Sequence, residues 1–212
     1  MILFFLLIPG LSGIGQTLFL KAGPSFSNMH YESSLVTADP FTKGFTGVNV
    51  IAGINYLKIK YLNLSTGIGY IRKGGIASMT MVDNEGDSIG TTEITEKMNY
   101  LTVNTTVNLK VPIKDLLEPY IFAGPRLDYL VSWKETNSFL QFFDDEGALN
   151  KISWGLLLGG GINFHFSRFL VGASFDYYLD FNKMVDYTVT TGTTTKVYDH
   201  TFTVNAVLGY KL

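Results

Sequence analysis

The chain has 212 residues, enough for one β domain, and no break in composition divides it. A net charge of −2 with scattered Lys and Arg excludes a nucleic-acid-binding surface, and the absence of Cys excludes a disulfide framework and thiolate chemistry. Only 16 % of residues are charged while 46 % are hydrophobic and 14 % aromatic. That is too little charge to cover a soluble surface and too much apolar area for a small core, an imbalance that lipid contact resolves.

The apolar run from Ile2 to Ile8 ends at Pro9, and small residues follow, with Gly13 and Gly15 placed for a signal peptidase. Residues 1–15 are therefore expected to be a signal peptide cut before Gln16, leaving 16–212 as one barrel domain. No Lys or Arg precedes the run, so the true start is expected upstream. The alternative is an anchor or a buried first strand, but the run is too short to cross a bilayer as a helix.

Beyond this point the signal has period two. Weak alternation covers 18–28, 44–56 and 60–72. In 98–111, Leu101, Val103, Thr105, Val107, Leu109 and Val111 alternate with Tyr100, Thr102, Asn104, Thr106, Asn108 and Lys110. In 120–133, Ile121, Ala123, Leu127, Tyr129, Val131 and Trp133 share a face opposite Arg126 and Asp128. Segments 152–166 and 169–181 repeat the pattern, and the last segment sets Phe202, Val204, Ala206, Leu208, Tyr210 and Leu212 against Thr203, Asn205, Gly209 and Lys211. Each strand has one greasy and one wet face.

Eight strands result. Short connections are expected at 57–59, 112–118 and 166–168, and long ones at 29–43, 73–91, 134–150 and 182–197. An apolar face in lipid forbids unpaired backbone edges, so the sheet must close. The expected fold is all-β, a closed antiparallel transmembrane β-barrel of about eight strands in the cell outer membrane, with short periplasmic turns and long outer loops. Eight strands leave a lumen that side chains fill. The expected filling is a polar network of Lys21, Lys110, Arg126, Asp128, Asp176 and Lys211, helped by Asn49, Asn55, Asn63, Asn104 and Asp180. Gly159, Gly160 and Gly161 are expected to relieve crowding; no helix follows them, as a phosphate loop would need. Trp133, Trp154, Tyr177 and Tyr210 are expected as interfacial anchors at headgroup level.

These features together resemble a family. Phe19-Leu20-Lys21-Ala22-Gly23-Pro24-Ser25-Phe26, the run Leu62 to Tyr70 leading to Lys73-Gly74-Gly75, Asn99-Tyr100-Leu101 before Val111-Pro112, Pro119-Tyr120-Ile121-Phe122-Ala123-Gly124-Pro125 and the closing Leu208-Gly209-Tyr210-Lys211-Leu212 resemble the PorT-like outer-membrane barrels of Bacteroidetes. The resemblance implies outer-membrane residence and, by analogy, a link to secretion; it implies no catalytic residues.

Two chemical motifs stand beside the barrel reading. His165-Phe166-Ser167 has the form of a nucleophile and its base, as in lipid A deacylases, but falls at a periplasmic turn, away from that substrate. Asp83, Asn84, Glu85 and Asp87 offer oxygens for Ca²⁺ but read better as a solvated loop tip. Histidines His30 and His200 carry no motif. The expectation is no enzyme, no cofactor and no metal. Expected partners are outer-membrane lipid, the barrel-assembly machinery and a surface protein or ligand at the long loops. The rival readings are a soluble lipocalin-like carrier, with its apolar face turned inward, and a lipid-modifying enzyme.

Overall fold

The structure is a computed structural model describing residues 16–34, 39–83, 85, 87–114, 116–133, 147–188 and 193–212. The expected signal segment and most of the expected loop 134–150 lie outside these. The described residues form nine strands and no helix: β1 (Thr17–Ser33), β2 (Phe41–Ile59), β3 (Leu62–Val82), β4 (Ser88–Lys110), β5 (Leu117–Trp133), β6 (Ile152–Phe166), β7 (Phe169–Asp180), β8 (Val185–Thr188) and β9 (Thr194–Lys211). Strands β1 to β7 and β9 pair antiparallel in order, and β1 pairs with β9 from Thr17–Lys211 to Ser33–Thr195, closing an eight-strand ring. The short β8 is an added ribbon on the upper part of β9, from Val185–Val197 to Thr188–Thr194.

Alternating side chains decide which face is outside. Along β9, Thr201, Thr203, Asn205, Val207 and Gly209 are buried while Phe202, Val204, Ala206, Leu208 and Tyr210 are exposed. At about 3.3 Å per residue and a tilt of about 40°, the apolar run from Phe202 to Leu212 spans about 25 Å, the height of an outer-membrane apolar band. Beyond Phe202 the outward residues turn polar, to His200 on β9, and on β1 Phe26 gives way to Asn28, His30 and Glu32. The apolar face is the outer one, which removes the lipocalin-like arrangement.

The turns at one end are short. Lys60-Tyr61 joins β2 to β3, and Ser167-Arg168 joins β6 to β7, with Ser167 at a φ of 52° to close the two-residue reversal. At the other end the strands run further than the sequence pattern indicates. β3 and β4 stay paired without a break from Leu62–Leu109 to Met81–Gly90, so the expected loop 73–91 is the two arms of a hairpin. Much of 29–43 is also strand, and 182–197 contains β8 and the start of β9. These arms stand above the lipid, where the outward face is polar, so an apolar-out criterion stops too early.

One strand changes face. Between Asn99–Ser132 and Tyr100–Leu130 the register of β4 and β5 slips, leaving Val131 as an extra residue. Trp133 is thereby turned inward against the core and is not the lipid-facing anchor that unbroken parity implies. The triple glycine does relieve crowding: a Cβ on Gly159 would lie 2.4 Å from the Phe122 ring, and one on Gly161 2.7 Å from Tyr120.

Candidate functional site within the barrel

The inward residues form layers along the barrel axis. At the short-turn end a vestibule of about 280 Å³ is bordered by Thr17, Asn55, Asn63, Lys110, Glu118 and Lys211, among others. Lys110 Nζ contacts Glu118 Oε2 at 3.0 Å, and His165 Nε2 lies 3.4 Å from Glu118 Oε1. His165 thus faces Glu118 and not Ser167.

Above the vestibule the lumen narrows to a cavity of about 40 Å³ lined by Asn55, Asn63, Asn104, Asn108 and Asn163. Ser65 Oγ donates to Asn55 Oδ1 at 2.6 Å and accepts from Asn108 Nδ2 at 2.6 Å. Asn63 Oδ1, Asn104 Nδ2 and Asn163 Oδ1 are buried without a partner. Groups of this kind hold water or solute, since leaving them dry costs about 1–3 kcal/mol each.

The next layer closes the lumen. Lys21 Nζ sits 3.3 Å from Asp176 and 4.5 Å above the Phe122 ring. Asn49 Nδ2 on β2 donates to Asn205 Oδ1 on β9 at 2.8 Å, the two meeting over Gly23 of β1, and Asn205 donates in turn to Thr203. Replacing Asn205 by Leu is expected to cost about 1–3 kcal/mol by stranding the Asn49 amide. Adding Asn49→Leu should recover part of that loss, read from denaturant unfolding in detergent micelles.

Higher still lies a cluster of buried charge. Lys73 Nζ is 3.0 Å from Asp199, 3.2 Å from Asp128 and 3.5 Å from Asp180. Arg126 grips Asp128 through Nη1 and Asp180 through Nη2, and Ser153 donates to Asp180 at 2.8 Å. The Lys73 ammonium lies 5.4 Å from both the Tyr100 and Tyr178 rings, and the Arg126 guanidinium 4.8 Å above Tyr178. The Lys73 side chain is only 1 % exposed, so water cannot replace these partners. An apolar cluster that includes Met29, Phe41, Met98, Leu130, Leu149 and Met184 packs the lumen toward the long-loop end.

The six residues expected as one interior network are therefore all inward but divided. Arg126 and Asp128 join the charge cluster, Lys21 pairs with Asp176, Lys110 pairs with Glu118, and Lys211 stands in the vestibule. Lys73 and Asp199, central to the cluster, are absent from the sequence-based set. Each continues the inward parity of its strand, through Ile71 and Thr201, which was the available signal.

Of the expected anchors, Trp154 is exposed and packs edge-on against Phe181 at 5.2 Å, and Tyr210 packs against Phe169 at 5.5 Å. Tyr177 reaches His200 at 3.5 Å. Asp83, Glu85 and Asp87 do converge at the exposed β3–β4 tip. There Asp83 Oδ1 accepts from the backbone N–H groups of Glu85 and Asp87 at 2.9 Å, which suffices to shape a tight reversal. Asn84 lies outside the described residues.

An eight-strand ring with an apolar outer band, a charged interior and unequal ends defines a transmembrane β-barrel of the outer membrane. The chain belongs to the outer membrane protein β-barrel domain family, which it matches over residues 19–186. Among solved structures it is similar to the outer membrane protein OprG of Pseudomonas aeruginosa, at 10 % identity and a TM-score of 0.56, covering 92 % of this chain and 95 % of that one. Neisserial surface protein A, at 12 % identity and a TM-score of 0.48, covers 92 % and 97 %. Outer membrane protein W of E. coli, at 14 % identity and a TM-score of 0.43, also covers 92 % and 97 %. No curated protein matches the sequence.

Proposed function

We propose that this outer-membrane barrel is non-conducting and acts through its long-loop rim. The observation that carries this reading is the filled lumen: among the described residues, a buried charge cluster and an apolar cluster occupy its long-loop half. The rim, by contrast, is built out. β1 to β4 and β9 rise above the apolar band with their outward faces cross-linked by His30–Asp39 at 2.6 Å, Lys43–Glu93 at 2.5 Å and Thr42–Ser78 at 2.7 Å. Short turns face the periplasm in such barrels, so the rim faces outward and presents a stiff polar wall to a surface protein or ligand. The PorT-like resemblance of β1 and β3 extends the proposal to a partner in protein secretion, and insertion would use the barrel-assembly machinery.

Planar bilayer recording tests the filled lumen. The refolded protein is expected to add no stable unitary conductance, while running faster unboiled than boiled on a gel. Steady open channels from protein that passes the gel test would overturn the reading.

A further inference from the structure

Short segments on opposite walls of the barrel repeat one another. Ala22-Gly23-Pro24 of β1 recurs 101 positions later as Ala123-Gly124-Pro125 of β5. At the same interval Thr102-Val103-Asn104 of β4 recurs as Thr203-Val204-Asn205 of β9, and Lys110 as Lys211. β1 and β5, like β4 and β9, stand four places apart in the ring and so on opposite walls. Each Ala-Gly-Pro packs tightly on its neighbouring strand, with the two ladders set two residues apart in register. A Cβ on Gly23 would lie 1.9 Å from the Val204 carbonyl oxygen, and one on Gly124 1.9 Å from that of Thr105. Both ladders skip a step at the proline, which has no N–H to give.

The repeat breaks at one charge. Lys110 is neutralised by Glu118 at 3.0 Å. At the same sequence interval Thr17 stands in place of Glu118; it registers directly opposite Lys211, where Lys110 has Tyr120 opposite. Lys211 therefore lacks the carboxylate its counterpart has, and among the described residues it makes no ion pair. It lines the vestibule beside Thr17, Asn55 and Asn63. Asn63 is 7 % exposed with an unpartnered amide oxygen, and turned over, that amide offers N–H instead. Lys110, Glu118 and Lys211 leave the vestibule one positive charge in excess, between low-dielectric walls that strengthen its field.

We propose that the short-turn vestibule binds a small oxyanion, carboxylate or phosphate, on the Lys211 ammonium. The Thr17 hydroxyl and the Asn63 amide complete its hydrogen bonds. The site is separate from the rim and does not depend on the rim's role.

The test uses the folded full chain and NMR shifts at Thr17, Asn63 and Lys211. In one arm inorganic phosphate or glutarate is titrated into zwitterionic micelles. In the other, nanodiscs of phosphatidylcholine are compared with nanodiscs containing phosphatidylglycerol. Saturable shifts in the first arm identify a free anion, and shifts confined to the anionic nanodiscs identify a lipid headgroup; either supports the site. Thr17→Glu places a carboxylate opposite Lys211 in the ladder, and Lys211→Gln removes the cation. Each should weaken binding at least tenfold, whereas Lys43→Gln on the rim should leave it unchanged. Heat-modifiability on a gel confirms that each variant is folded. No saturable shift in either arm, or binding that survives in both vestibule variants, overturns the proposal.

Discussion

Replacing Lys73 by Met is expected to destabilise the barrel by about 3–5 kcal/mol, the cost of removing one partner from a buried ion cluster. The reason is the company Lys73 keeps. Its ammonium is shared by Asp128, Asp180 and Asp199, and its side chain is 1 % exposed. With Lys73 present, two cations face three carboxylates; without it, Arg126 alone faces all three. Arg126 already holds Asp128 and Asp180, so Asp199 loses its only cation among the described residues and keeps the Thr201 hydroxyl, at 3.0 Å. Adding Asp199→Asn returns the cluster to its original net charge and should recover more than half the loss. Urea unfolding in detergent, followed by the gel shift between folded and unfolded forms, measures both. A Lys73→Met variant as stable as the unmodified protein would mean that the cluster is hydrated and that the lumen is not filled there.

How far the sequence announces this depends on the solvent each segment meets. Inside the lipid band the contrast between faces is large, so Leu101 to Lys110 and Phe202 to Lys211 are legible residue by residue. Above the band both faces of β3 and β4 carry polar residues, and Lys73-Gly74-Gly75 reads as a turn. Gly75 is instead an inward position where a Cβ would touch Met29 and Phe41 at 3.0 Å. Lys73 was hidden for that reason, and Asp199 because it precedes the apolar part of β9. Trp133 was misplaced because a bulge shifts parity by one and leaves no mark in composition. The interior charges were individually visible at Arg126, Asp128 and Asp176. Their division into separate groups was not, since strand tilt and stagger decide which inward side chains meet across the axis.

The outward face gives the second large effect. Leu127 is 44 % exposed and pairs with Val103 on β4 and Trp154 on β6, within the apolar band. Leu127→Arg is expected to cost about 1–2 kcal/mol in lipid vesicles, since the penalty of about 2–4 kcal/mol at the midplane falls toward the interface where its partner Trp154 lies. On a water-facing surface the same exposed substitution would lie within about 0.5 kcal/mol of neutral. The two solvents therefore predict different numbers for one side chain. Leu127→Phe, which keeps the face apolar, should be nearly silent and controls for lost packing. Reversible denaturant unfolding from vesicles reads all three proteins on one scale. A Leu127→Arg barrel no less stable than the Phe variant would remove lipid from that face, and with it the physical reason the sheet must close.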